Sequence, residues 1–328
     1  MAGLTRRDVC KAGLVTAGAA ASIGLPGSPA EAAEAAGPAV VGQKWLSKRL
    51  LEFTVSSPAM GRTLTNRLLV PPGWSASAKR TWPVIFMLHG GNDTYVSWTR
   101  STDIEAFTAK TNALIVMPEC GRSGGFTDWW YGGKGGTPRW ETYHLTEVRQ
   151  VVERHYRGGP HRAVAGLSAG GYGALIYAAR HPRFFSYAAA YSPYAATLLP
   201  GLPEGMLAGM QHDGLNGLDM WGPPWFSPNV WPAHDPITQA PGLKGTQLYL
   251  SCSMTGFDGP FDAPGQEYGA RNSAEQLAWT TVAAFSLRLS PLGIPATRHF
   301  YDTGTHRWPY WQREMHNSWP RLTKSLGA

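Results

Sequence analysis

The chain reads as an α/β protein: a mostly parallel, doubly wound sheet with helices on both faces and an irregular insertion at 192–236. Three observations predict this. Short apolar runs rich in branched residues recur at 84–88, 113–117, 185–191 and 246–252 and read as buried strands. Between most of them lie stretches with apolar residues at one-turn spacing, and such alternation implies parallel strands joined by covering helices. The 328 residues are 43% hydrophobic and only 16% charged, which suits a large core and excludes a disordered chain.

The N-terminus carries Arg6-Arg7, a short Ala/Gly-rich apolar stretch at 12–25 and Ala30-Glu31-Ala32. This is the pattern of a twin-arginine export signal, too short and too rich in small residues for a membrane span, so residues 1–36 are expected to be a signal and processing region. Residues 37–328 are then expected to be a single domain, secreted or held loosely at the cell envelope. Arg6, Arg7 and Lys11 balance Asp8, Glu31 and Glu34, so the net charge of +7 belongs to that domain. Its basic residues are scattered and form no block of the kind that binds nucleic acid.

Residues 33–42 read as a small-residue linker, and the alternating runs 50–56 and 62–70 as antiparallel edge strands. The strand 84–88 stops at His89-Gly90-Gly91. A short helix at 103–112 and the strand 113–117 follow. Residues 141–156 form an amphipathic helix, with Leu145, Val148, Val151 and Val152 on one face. It feeds a strand that ends at Ser168, where the period changes to helical. After the strand 185–191 comes the insertion, rich in Gly, Pro, Met and Trp, expected to lie over the strand ends as a lid or groove wall. The strand 246–252, a loop at 253–271, a helix opened by an Asn272/Glu275 capping box and closed by Pro291, a strand at 297–301, a turn at 303–306 and a closing helix at 309–326 complete the chain. Cys120 and Cys252 follow runs that several strands separate, so both are expected to be free thiols.

Gly166-Leu167-Ser168-Ala169-Gly170 is a G-x-S-x-G pentapeptide between a strand and a helix, the setting of the nucleophile elbow in α/β-hydrolases. Ser168 is therefore the candidate nucleophile. A serine hydroxyl needs a base and an acid that orients the base, and in this fold they follow in the order Ser, acid, His. Among ten histidines, His306 lies on the turn after the last strand and is the expected base; His299 sits within a strand and His316 on the closing helix. The acid is expected on the loop after Cys252: Asp258, flanked by glycine, is preferred over Asp262 and Glu267, while Asp302 is read as a turn cap. The backbone N–H groups of Ala169 and Gly91 are the expected oxyanion donors. His89, Asn92, Trp129, Trp221 and Trp308 are candidate substrate contacts, since tryptophan faces suit acyl chains and sugar rings. The histidines lack metal-ligand spacing, and Gly132-Gly133-Lys134-Gly135-Gly136 lacks a phosphate-loop ending, so neither metal nor cofactor is expected.

The motifs Phe126-Thr127-Asp128-Trp129-Trp130-Tyr131, Trp140-Glu141-Thr142, Asp219-Met220-Trp221-Gly222-Pro223, Asp235-Pro236 and residues 304–311, with the elbow, resemble the antigen 85 mycolyltransferases within the esterase D-like α/β-hydrolases. That resemblance implies a secreted serine acyltransferase acting through an acyl-serine, with Ser168 and His306 in the catalytic positions. It puts the acid at or near Asp258, where those enzymes carry a glutamate. Two departures stand out. His89-Gly90-Gly91-Asn92 replaces the family's Asp-Gly-Leu-Arg, whose charged side chains hold trehalose, and Gly132 to Gly136 replace its cysteine pair. The expected substrate is thus a small-molecule, lipid or sugar ester, with water slightly favoured over a sugar as acceptor. A trehalose mycolyltransferase and a non-catalytic envelope- or matrix-binding protein are the rival readings. Oligomeric state is not legible.

Overall fold

A computed structural model describes residues 37–130 and 138–328. The expected export signal and the Gly132 to Gly136 segment lie outside the described residues.

Among the described residues nine strands form one sheet: β1 (Ala39–Trp45), β2 (Leu50–Ser57), β3 (Arg62–Leu69), β4 (Trp82–Leu88), β5 (Leu114–Met117), β6 (Gly158–Leu167), β7 (Tyr187–Tyr191), β8 (Gln247–Ser253) and β9 (Ala296–Tyr301). Their spatial order is β1-β2-β3-β5-β4-β6-β7-β8-β9. The first three strands and the β3–β5 pairing are antiparallel; every pairing from β5 to β9 is parallel. The parallel portion from β5 to β8 was legible because its strands are largely buried on both faces; the edge strand β9 is only half-buried. In β4, Val84, Phe86 and Leu88 enter one apolar layer and Ile85 and Met87 the other. β1 was hidden in the supposed linker. As an edge strand it buries none of its side chains, so its sequence lacks a core-facing pattern.

Five helices matter for the site: α1 (Arg149–Tyr156), α2 (Ala169–Arg180), α3 (Leu202–His212), α4 (Gly269–Leu289) and α5 (Trp308–Leu326). Leu175 and Ile176 of α2 and Val282, Phe285 and Leu289 of α4 cover one face of the sheet. Trp311, Met315, Trp319 and Leu322 of α5 cover the other. The segment before α1 departs from a plain α-helix: Tyr143–Val148 is a π-helical turn between Trp140–Thr142 and α1. It carries the buried His144, whose Nε2 donates to the Glu119 carbonyl and whose Nδ1 accepts from the Tyr177 hydroxyl, both at 2.8 Å. Desolvation pushes that imidazole down to about 4, so it stays neutral.

The insertion is more ordered than its composition implies. It contains α3 and the short helices Leu218–Trp221 and Val230–Ala233. Its glycines and prolines obscure a helical face of Leu202, Met206 and Met210. One quoted motif ties this region to the body, since the Trp221 indole donates to Thr127. Asp235 accepts from Thr197 within the region and from Thr238 just beyond it, and outside it Asp128 accepts from the Thr142 amide and hydroxyl. Cys120, just after β5, and Cys252, on β8, are free and buried, and three strands separate β5 from β8.

Candidate active site

The site begins at the junction of β6 and α2, where Ser168 adopts φ 53° and ψ −120°. Only a crowded turn holds a non-glycine residue there. The flanking glycines make that turn sterically feasible. A Cβ on Gly166 would stand 2.2 Å from the Gly170 carbonyl oxygen, and one on Gly170 would stand 2.3 Å from the His89 carbonyl oxygen. The second contact shows how closely the elbow is pressed against the loop after β4. Ser168 itself is nearly buried but borders two cavities.

His306 stands on the turn between β9 and α5. Its Nδ1 donates to Glu275 Oε2 at 2.8 Å, which leaves Nε2 as the ring's lone-pair nitrogen. Nε2 is buried and makes no hydrogen bond among the described residues. The ring is fixed on two sides, stacked on Tyr194 at 5.9 Å and met edge-on by Trp311 at 4.9 Å. Tyr194 also brings its hydroxyl within hydrogen-bonding reach of Ser168, and burial raises its phenol above the ordinary value, so it stays protonated. Glu275 is fully buried in α4, and its other oxygen accepts from the Ser253 amide at 2.8 Å, the Ser192 hydroxyl at 2.9 Å and the Cys252 thiol at 3.3 Å. A buried carboxylate is tolerable when all its lone pairs are used in this way.

This geometry corrects the sequence reading. Asp258 does not meet His306: its side chain is exposed and makes no hydrogen bond or ion pair among the described residues. Asp262 is buried beside the same turn but accepts from Thr305, Arg307, Tyr310 and the Gly259 amide. Glu275 escaped notice because it read as half of a capping box with Asn272. The helix begins at Gly269 instead, and this puts Glu275 near the end of its second turn, pointing inward. The glutamate that the resemblance implied was the signal available for it.

On the opposite side of Ser168, the loop after β4 is braced from behind. His89 is 1% exposed; its Nε2 accepts from the Cys120 amide at 3.0 Å and its Nδ1 donates to the Gly90 carbonyl at 2.8 Å. Desolvation lowers its affinity for a proton, which keeps it in this neutral tautomer. Both nitrogens are thus spent on backbone, so His89 shapes the loop, and the residue also borders the larger cavity. A Cβ on Gly91 would lie 3.9 Å from that of Ala169, so the two expected oxyanion donors border one spot. Asn92, at φ 57°, accepts from the Arg122 guanidinium and lines a cavity wall.

Two cavities meet at Gly90, Gly91, Ser168 and His306. The larger, about 600 Å³, runs under α3 and is lined by Leu202, Met206, Met210, Met220, Trp221 and Leu277. The smaller, about 380 Å³, is walled by Asp93, Arg271, Arg307, Trp308 and Trp311. Trp221 and Trp308 therefore reach a cavity, as expected of them. Trp129 does not; it is buried and donates to the Gly124 carbonyl at 2.9 Å.

Residues 57–322 match the Esterase family model, described as "Putative esterase". The chain belongs to the Esterase family. Within it, the chain is Ag85-like: it is 29% identical over 332 residues to the diacylglycerol acyltransferase/mycolyltransferase Ag85B of Mycobacterium intracellulare, covering 95% of this chain and 93% of that one. It is 30% identical over 288 residues to Ag85A of Mycobacterium ulcerans, covering 84% and 81%. Among solved structures, Mycobacterium tuberculosis MPT51 superposes with a TM-score of 0.70 at 22% identity, covering 83% of this chain and 97% of that one. An S-formylglutathione hydrolase from Agrobacterium tumefaciens gives 0.66 at 16% identity, covering 88% and 99%. These folds are α/β-hydrolase folds, and this esterase-family chain shares them.

Proposed function

We propose that this chain is a serine esterase or acyltransferase that cleaves carboxylic esters through an acyl-Ser168 intermediate. One observation carries the reading: an imidazole held by a buried carboxylate lines the same two cavities as the elbow serine. His306 Nε2 takes the Ser168 proton as Oγ attacks the ester carbonyl. Glu275 holds the Nδ1 proton and stabilises the imidazolium that results. The N–H groups of Gly91 and Ala169 donate to the developing oxyanion. The acyl C–O bond then breaks, and the departing alkoxide takes the proton back from His306. Water or a sugar hydroxyl repeats the sequence on the acyl-enzyme.

The two cavities give the ester a direction. The larger, apolar one suits the acyl chain, and the smaller, charged one the alcohol. Transfer to a sugar remains the second reading, supported by the acyltransferase and mycolyltransferase names of the Ag85 relatives. Hydrolysis is preferred because the oxyanion loop carries His89 and Asn92 where the resemblance expects trehalose-binding charges. Export by the twin-arginine route belongs to the same proposal. It is supported by the pattern of residues 5–32.

A fluorophosphonate probe is expected to label the purified protein at Ser168, and Ser168→Ala to abolish labelling. Persistent labelling of that variant would sink the proposal. Intact-mass measurement of the acyl-enzyme, chased with water or with trehalose, separates hydrolysis from transfer.

A further inference from the structure

The smaller cavity has an uneven charge balance. Four of its lining side chains are ionic or ionisable: Asp93, Arg271, His306 and Arg307. Three of them are matched locally. Asp93 takes a two-pronged contact from Arg100 at 3.0 and 2.7 Å. Arg307 donates to Asp262 at 2.9 Å, and His306 to Glu275 at 2.8 Å. Arg271 alone has no carboxylate: among the described residues its guanidinium meets only the ring of Tyr268, 5.5 Å away. The same ring carries Arg307 at 4.4 Å, so two guanidinium groups are held at one rim of this cavity and only Arg307 has a carboxylate, Asp262.

We infer that Arg271 selects esters whose alcohol part carries an anionic group, a carboxylate or a phosphate, seated in the smaller cavity beside Ser168. This rests on the proposed acyl-serine chemistry and adds to it the class of alcohol. The physical reason is direct. An arginine fork pairs with planar or tetrahedral oxyanions through two parallel hydrogen bonds, and a guanidinium already freed of carboxylate partners has no competing pair to break. Trp308 and Trp311 supply the flat apolar wall against which the body of such an alcohol can lie.

The test compares three butyrate or phenyl esters on the full chain. 4-Carboxyphenyl butyrate and its neutral partner 4-carbamoylphenyl butyrate share the acyl group and differ in the charge of the alcohol. The phenyl half-ester of succinate moves the anion to the acyl side. A hydrogen-bonded charge contact is worth roughly tenfold or more in kcat/KM. The ratio of kcat/KM for the carboxylate over the carbamoyl ester is expected to fall by about tenfold in Arg271→Ala, to be restored in part by Arg271→Lys, and to shrink in wild type at 0.5 M salt. The ratio of the succinate half-ester to the carbamoyl ester is expected to be the same in wild type and Arg271→Ala. An equal carboxylate-to-carbamoyl ratio in wild type and Arg271→Ala would overturn the inference while leaving the esterase reading intact. An equal response of the succinate half-ester would overturn the assignment of the anion to the alcohol cavity. Cleavage of none of the three would refute the acyl-serine reading and this inference with it. A 4-phosphophenyl butyrate arm distinguishes phosphate from carboxylate by which shows the larger Arg271-dependent ratio.

Discussion

Two buried carboxylates flank the turn that carries His306, and three consecutive residues divide between them. Thr305 and Arg307 donate to Asp262, at 2.6 and 2.9 Å, while His306 between them donates to Glu275. Each carboxylate is saturated. Asp262 collects two further bonds, from Tyr310 and Gly259, and Glu275 three, from Ser192, Cys252 and Ser253. Burial and hydrogen-bond count therefore do not separate a catalytic acid from a structural one. What separates them is the partner: Asp262 holds a guanidinium and hydroxyls that keep their protons, whereas Glu275 holds the imidazole that, in the proposed mechanism, gains and loses one beside the serine.

The largest expected effect breaks the pair at Glu275. Glu275→Gln keeps the volume but removes the charge that fixes the Nδ1–H tautomer, so kcat is expected to fall by about 10³ to 10⁴, as for an orienting acid in a triad. A loss under tenfold, with the thermal midpoint unchanged, would refute Glu275 as the orienting acid. A smaller effect comes from the support behind it. Ser192→Ala removes one donor to Glu275 and the acceptor of the Trp311 indole, and is expected to lower kcat by about tenfold with little change in KM. An increase in KM alone would place Ser192 in substrate binding instead.

Much of this was legible in the sequence, and the failures share a physical cause. The elbow, the oxyanion loop and His306 were legible because each requires a local pattern: glycines where a Cβ would collide, or a turn directly after a strand. The central parallel strands were legible because both faces are buried. Glu275 was not, since nothing local distinguishes a glutamate that faces a histidine 31 residues away from one that caps its own helix. Tyr194 and Arg271 were missed for the same reason. Their meaning comes from a ring or a cavity that only tertiary packing assembles, and β1 and α3 show that weak amphipathic signals fail at an edge or among glycines.

Asp262 gives a third contrast, on stability rather than turnover. Burial works against its charge, but hydrogen bonds from Thr305, Tyr310, Gly259 and Arg307 outweigh that and hold the carboxyl below the ordinary aspartate value. A depressed folded value means stabilisation that is complete above the unfolded value, near 4, and lost as pH falls through the folded one. Asp262→Asn is therefore expected to lower the thermal midpoint at pH 7 and to flatten its decline between about pH 5 and 2, while kcat changes by less than about threefold. A kcat loss as deep as that of Glu275→Gln would erase the division between the two carboxylates.

The smallest effect sharpens the comparison by supplying its baseline. Asp258 lies on the same loop as Asp262, four residues earlier, yet its side chain is exposed and unpaired among the described residues. Just after it the loop is tightly folded: a Cβ on Gly259 would meet the Tyr310 hydroxyl at 2.6 Å and the Thr303 carbonyl oxygen at 2.8 Å. Asp258→Asn is expected to leave kcat within about twofold and the acid limb of the melting curve unmoved, because an exposed carboxylate has similar surroundings folded and unfolded. A hundredfold loss of kcat would mean that the loop refolds in solution to bring Asp258 to His306. Measured beside Glu275→Gln and Asp262→Asn, it distinguishes a carboxylate used for chemistry, one used for structure and one used for neither.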